Sequence, residues 1–270
     1  MATAWRDAAR QALPKPVLAR VQAARWALRR FRHRLRWLAS GRRTDGIGLG
    51  RFDGWLIAYR LHSVDTAVIH HSFDNDRFFA AIADVAINED AVILDVGAHI
   101  GTFALLASMK VPRGRVCAIE ASAETFHLLA ANVELNRRPN IEVSQLALAG
   151  GDGPITLHHD PEGNYGHSIT RPPAASHEVV RGVTLERYLD DRALPSVAVA
   201  KFNCEGAEFP ILLGAAETTL RRIATMIVLY HCDLVDQPVS ALLDHLHAAG
   251  FRTRTREETA DRGWIIARRN

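Results

Sequence analysis

From residue 91 onward, short apolar runs alternate with helix-length segments, and this rhythm restricts the fold more than any other feature of the chain. Ala91–Val96 is apolar but for Asp95, as expected of a strand covered on both faces of a parallel sheet. Gly101–Met109 reads as a helix, Arg115–Glu120 as a second strand, Ser122–Asn136 as a helix with Ser122 as its cap, and Ile141–Ala147 as a third strand. Residues 150–182 are rich in Gly, Pro, His and Ser; they break the rhythm and read as a hairpin plus an active-site loop. Val197–Asn203 resumes as a strand, followed by a helix to about Ile223 and a strand over Ala224–His231. A helix over Pro238–Ala249 closes at Gly250, and Phe251–Arg256 with Trp264–Arg268 fits a final antiparallel pair. Strands and helices alternating in this way predict an α/β sheet with helices on both faces. Ahead of it, residues 50–61 and 64–69 read as short strands or a hairpin leading into a helix over Asp74–Ile87. The expected division is 1–45 as a basic helical extension, 46–90 as strands and a helix ahead of the sheet, and 91–270 as the sheet domain with an insertion at 150–182.

With 48% hydrophobic and 23% charged residues in 270, the chain has the composition of a globular protein rather than a disordered one. No apolar run reaches the roughly 18–20 residues of a membrane span. The basic start lacks the apolar core and cleavage site of a secretory signal. Cys117, Cys204 and Cys232 form no closely spaced pair, so neither a disulfide framework nor a cysteine zinc site is expected, and a cytoplasmic location fits.

The net charge of +3 conceals an asymmetry. Residues 1–45 hold 12 of the 33 Lys and Arg against Asp7 and Asp45, leaving an acidic body, which argues against nucleic acid as its substrate. Within the tail, Val17, Val21, Ala24, Leu28, Phe31, Leu35 and Leu38 recur every three or four residues between Pro16 and Gly41, which predicts one apolar helical stripe. Seven arginines between Arg20 and Arg36 surround it, with Trp26 and Trp37 beside it. Three readings fit: docking on the chain's own domain or a second copy, a peripheral membrane helix over residues 17–38, or nucleic-acid binding.

In sheets of this kind the ligand sits beyond the C-terminal strand ends, where the strand order reverses. The first strand there ends Leu94-Asp95-Val96-Gly97-Ala98-His99-Ile100-Gly101. Gly97 permits a tight turn, Gly101 close packing, and the loop amides can bind an anion. Asp95 would repel a pyrophosphate and accept an ammonium, and the G-x-x-x-G spacing departs from the dinucleotide fingerprint. Glu120 closes the second strand, where a carboxylate can accept both hydroxyls of a ribose. A ligand with a cationic amino-acid end and a ribose is S-adenosyl-L-methionine. A second string, Lys201-Phe202-Asn203-Cys204-Glu205-Gly206-Ala207-Glu208, packs two carboxylates and a lysine around a strand end, which is costly unless they are paired or wet.

The strings VILDVGAHIGTFALLAS, VCAIEASAETFHLLAANVELN, GVTLERYL and KFNCEGAEFPILLGA resemble, in order and over roughly residues 90–250, the FkbM family of S-adenosylmethionine-dependent methyltransferases. The resemblance implies a Rossmann-like fold with a mostly parallel seven-stranded sheet and an antiparallel last strand. It also implies O-methylation of hydroxyls on sugars, glycans or secondary metabolites. By position, Asp95, Gly97, Ala98, His99, Gly101, Thr102, Glu120, Ala121 and Ala147 form the expected cofactor set. Glu205, Gly206 and Glu208 match the family's E-G-x-E, and Asn132 and Asn136 its paired asparagines, for which helix-end bonding and ligand binding both remain readings. His99 replaces the usual Asn, Ser122 a proline, Glu186 an Asp and Asn203 an Asp, while Leu229-Tyr230-His231 keeps only the His of E-x-H.

Methyl transfer requires alignment of donor and acceptor and removal of the hydroxyl proton. Glu205, His231 and Asn203 are the catalytic candidates, with His231 or Glu205 as base. His167, in the loop Asn164-Tyr165-Gly166-His167-Ser168, is a candidate acceptor contact. The pairs His70-His71, His158-His159 and His245/His247 lack the shared face a metal needs, so no metal is expected. A weakly active methyltransferase-like binding protein and a nucleotide-dependent oxidoreductase remain as alternatives.

Overall fold

A computed structural model describes residues 46–74, 76–160, 167–170, 173 and 176–269. The amphipathic stripe of residues 17–38 and Asn164–Gly166 lie outside the described residues. The central sheet has seven strands in the order β11–β12–β10–β9–β3–β4–β5, namely Arg252–Glu257, Arg262–Arg268, Ile223–His231, Val197–Phe202, Val92–Val96, Arg115–Glu120 and Ile141–Gln145. Only β12 runs against its neighbours β10 and β11; the pairings among β10, β9, β3, β4 and β5 are parallel.

Successive strand residues point to opposite faces, and each face is buried. Ile93, Val116, Val199 and Ile227 face one layer, covered by α1 (Asp65–Phe73), α2 (Arg77–Ala80), α3 (Thr102–Lys110) and α4 (Ala123–Leu135). Leu94, Cys117, Ala200 and Val228 face the other, covered by α5 (Leu185–Asp191), α6 (Glu208–Leu213) and α8 (Val239–Ala248), with α7 (Glu217–Leu220) leading into β10. Cover on both faces is why these strands read as continuous apolar runs. The chain passes from β3 to β4 and β5 on one side and returns to β9 and β10 on the other, so the strand order reverses at β3.

Several boundaries differ from the sequence reading. Residues 65–69 belong to α1, with Val64 as its N-cap, rather than to a strand: Asp65, Ile69, Ser72 and Phe73 are buried at helical spacing, which a period-two reading of the short apolar run obscures. The helix expected over Asp74–Ile87 shrinks to the single turn of α2, followed by turns. The third strand stops at Gln145, and β6 (Ala147–Leu148) joins a separate sheet with the hairpin β7 (Gly153–His158) and β8 (His177–Val183). The helix expected after β9 divides into α6 and α7 around Gly214. Ser122 occupies the N-cap of α4 without a side-chain cap bond; the carboxylate of Glu178 on β8 accepts the Ala123 N–H instead.

The hairpin β1 (Ile47–Phe52) and β2 (Trp55–Arg60) turns at Asp53–Gly54, both with positive φ, as a two-residue turn of the primed type requires. Its outer edge is held by the two asparagines of α4. Asn132 accepts the Ala58 N–H at 2.7 Å and donates to the Ala58 and Ile100 carbonyls at 3.0 and 2.8 Å. Asn136 accepts the Leu56 N–H at 3.0 Å and donates to the Leu56 carbonyl at 2.9 Å. One helical turn apart, they meet alternate residues of β2 as a neighbouring strand would. Their amides are used in docking the hairpin, not in lining the cavity described below.

Candidate functional site

A cavity of about 330 Å³ opens at the reversal of strand order. Gly97, Ala98, His99, Thr102, Glu120, Ala121, Ala147, Asn203, Glu205 and His231 line it, as does His167, whereas Asp95 and Gly101 do not. The loop after β3 is tightly specified. Gly97 has φ +71°, and a Cβ there would stand 2.0 Å from the Asn203 carbonyl, so the ends of β3 and β9 approach each other only through glycine. Gly101, at φ +91°, faces Leu129 on α4, which a Cβ would meet at 2.7 Å. The loop amides are committed: Gly97 and Ala98 donate to the Ile119 carbonyl at 3.1 and 2.9 Å, and Gly101 to Ala98.

Asp95 is fully buried beneath the loop. Its partner is an ammonium, as its position suggested, but that of Lys201, at 2.9 Å; Lys201 also donates to the Gly97 carbonyl at 2.7 Å. Asp95 and Lys201 are in register on β3 and β9 and share the face covered by α2 and α3. Burial pushes the Asp95 carboxyl up, with Lys201 opposing. The sequence named Lys201 only as a member of its string; its position opposite Asp95 follows from strand register.

Glu120 faces the cavity with Oε2 accepting the His99 N–H at 2.9 Å and Oε1 the Ser122 N–H at 3.0 Å. Burial raises its pKa against the pull of these amides. Each oxygen retains a lone pair for a hydroxyl donor. His99, with φ +52°, sets its ring Nε2 3.2 Å from Arg60 Nη2 and 3.4 Å from Asp65 Oδ1. Arg60 and Asp65 form a buried bidentate pair at 2.9 and 2.7 Å, and Arg60 reaches Thr125 on α4 at 3.1 Å. Burial alone would raise the Asp65 carboxyl, but the His99 and Arg60 charges outweigh it and hold it below the ordinary carboxylate range. This pair, which no sequence motif announces, ties the hairpin to the loop after β3.

On the opposite wall the E-G-x-E string folds into a tight turn. Glu205 and Gly206 both have positive φ, and the Glu205 carbonyl accepts the Ser168 and Thr170 hydroxyls. Glu208, fully buried, accepts the amides of Cys204 at 2.5 Å and Gly206 at 2.8 Å. His231 stands with Nδ1 3.3 Å from Glu208 Oε1 and Nε2 3.6 Å from Glu205 Oε1. Burial opposes charge on this imidazole, but Glu208 and Glu205 prevail and raise its pKa above the ordinary 6.5. Arg262, opposite His231 on β12, completes the group: Asp233 grips it at 3.0 and 2.7 Å, and Nη1 lies 3.8 Å from Glu205. No motif announces Arg262, because only antiparallel register brings it beside His231. Burial and Glu208 hold the Cys204 thiol well above its ordinary pKa, which disfavours the thiolate. Among the described residues no group of three or more His, Cys, Asp or Glu side chains is arranged to hold a metal ion.

Sequence comparison accords with this architecture. The family model for the methyltransferase FkbM domain matches residues 95–253. The hexuronic acid methyltransferase AglP of Haloferax volcanii is 27% identical over 183 residues, covering 67% of this chain and 72% of that protein. The AMB antimetabolite synthetase AmbE of Pseudomonas aeruginosa is 27% identical over 262 residues, 82% of this chain but 12% of that much longer protein. Among solved structures, methyltransferase FkbM from Methylobacillus flagellatus aligns with TM-score 0.48 and 13% identity, over 76% of this chain and 53% of that one. The chain belongs to the FkbM methyltransferase family and is an S-adenosylmethionine-dependent methyltransferase.

Proposed function

We propose that the chain methylates a hydroxyl of a sugar, glycan or secondary metabolite, with His231 receiving the hydroxyl proton. The observation that carries this reading is the imidazole at the cavity wall, with Glu208 3.3 Å from one nitrogen and Glu205 3.6 Å from the other. The cavity's residues fit the cofactor: Glu120 keeps acceptor capacity for a ribose, and Ala98, Ala121 and Ala147 leave room beside it. When bound, S-adenosylmethionine supplies a methyl group on a sulfonium, open to in-line displacement.

The chain's own residues then have distinct tasks. Glu208, fixed by two amides, favours the tautomer of His231 that carries its proton on Nδ1, leaving Nε2 to accept one. Glu205 stabilises the imidazolium that results, and Arg262 keeps Glu205 in place. Asn203 carries no charge and serves to orient the acceptor. The acceptor side draws on Val64, Val68 and His71 from the segment before the sheet and on His167 and Ile169 from the insertion. A polyhydroxy acceptor suits this mixed lining, and the hexuronic acid named for AglP supports that class.

The test is transfer of labelled methyl from S-adenosylmethionine to a panel of hexoses, hexuronic acids and their glycosides, by wild type and His231→Asn. Ether products, formed by wild type and reduced about a hundredfold or more in the variant, are expected. Methyl esters formed only at the uronic carboxylate would overturn the reading, as would equal rates for both proteins.

A further inference from the structure

The methionine end of S-adenosylmethionine carries a carboxylate, which in a cavity of this depth needs a cation or hydrogen-bond donors. Loop amides before a helix are a common source, yet here Gly97 and Ala98 donate to Ile119, His99 to Glu120 and Gly101 to Ala98, and Ala104 in the first turn of α3 donates to Asp95. Among the described residues, three non-histidine cations line the cavity. Arg77 is paired with Glu258, and Arg262 is gripped by Asp233 with its remaining nitrogen towards Glu205. Lys201 differs. Its ammonium has three N–H donors, of which Asp95 and Gly97 take two. The rings of Phe78 and Phe103, 5.6 and 5.9 Å away, shield it from water while it still borders the cavity. Thr102, adjacent to Phe103 at the start of α3, accepts the Ser72 hydroxyl at 2.8 Å and so has its own proton to give.

We infer that Lys201 and Thr102 hold the carboxylate at the methionine end of the cofactor. The amino-acid end then lies on the α2–α3 side of the cavity, and the adenosine end lies over Glu120, Ala121 and Ala147. Asp95 neither reaches the cavity nor meets the ligand; its task is to fix the ammonium that does. The inference rests on the reading of this cavity as the cofactor site.

Two ligands separate the ends. S-adenosylhomocysteine carries the carboxylate, whereas 5′-methylthioadenosine has the same adenosine and thioether without the amino-acid group. Calorimetric titration of wild type, Lys201→Met and Thr102→Val with each is the experiment. Both substitutions are expected to weaken S-adenosylhomocysteine by about tenfold or more, as loss of a charge-assisted bond implies, and to change 5′-methylthioadenosine by less than about twofold. Retained binding of the truncated ligand also shows an intact pocket, and Thr102→Val alone decides the matter if Lys201→Met does not fold. Equal losses for both ligands, or unchanged affinity for S-adenosylhomocysteine, would overturn the inference. Wild type binding neither ligand would overturn the cofactor site itself, and the inference with it.

Discussion

Replacing Asn132 with alanine removes an amide that serves three backbone groups, the N–H and C=O of Ala58 and the C=O of Ile100. Asn132, Ala58 and Ile100 are all fully buried, so water does not replace it. At about 1–3 kcal/mol for each orphaned group, and allowing for relaxation, the loss is about 3–5 kcal/mol. That is a large part of the roughly 5–15 kcal/mol that keeps a domain folded. Asn136→Ala removes bonds to Leu56, which is only half-buried, so water compensates and the loss is about 1 kcal/mol. Urea unfolding, followed by far-ultraviolet dichroism and by tryptophan emission, measures both; Trp55 lies on β2 and Trp264 in the central sheet. Asn132→Leu is the control, since it keeps the branched shape, leaves no cavity and forms no bonds. Equal midpoints for the two alanine variants, or wild-type stability in Asn132→Leu, would refute the reasoning.

Three further outcomes follow from the site and the tail. His231 must be neutral to accept a proton, and its pKa is held above 6.5, so the acid limb of kcat/KM falls above that pH. Glu208→Gln moves the limb to lower pH, and a limb that stays in place argues against His231 as base. Asp65→Asn breaks the buried pair with Arg60 and costs about 3–5 kcal/mol, whereas Asp65→Leu with Arg60→Met costs less, a comparison a double-mutant cycle makes directly. Because the folded Asp65 carboxyl lies below its ordinary 3.8, this stability is present above pH 3.8 and lost as pH falls through the folded value. Finally, vesicles containing anionic lipid are expected to carry the full chain in flotation and to leave behind a chain lacking residues 1–45; no flotation by either would end the membrane reading of residues 17–38.

The strands of the sheet were legible because burial on both faces writes itself into local composition: Arg115–Glu120 was bounded correctly from residue types alone. The segment before the sheet was not. Its helix α1 begins inside an apolar run short enough to suit either period, and what decides for helix is the core that Ile69 and Phe73 meet. Ser122 lost its expected capping role to Glu178, which lies 55 residues beyond the Ala123 amide it accepts and is visible only in three dimensions.

The sequence by itself determined the α/β order, the glycine loop after the first sheet strand, the carboxylate at the end of the second and the E-G-x-E turn, because each depends on spacing within a few residues. Only the tertiary structure decided who faces whom. Strand register set Lys201 against Asp95 and Arg262 beside His231, and the packing of α4 made Asn132 and Asn136 the mooring of a hairpin. Such pairings join residues 31 to 106 positions apart, and a chain's local pattern carries no record of a partner at that distance until the sheet closes and brings the two together.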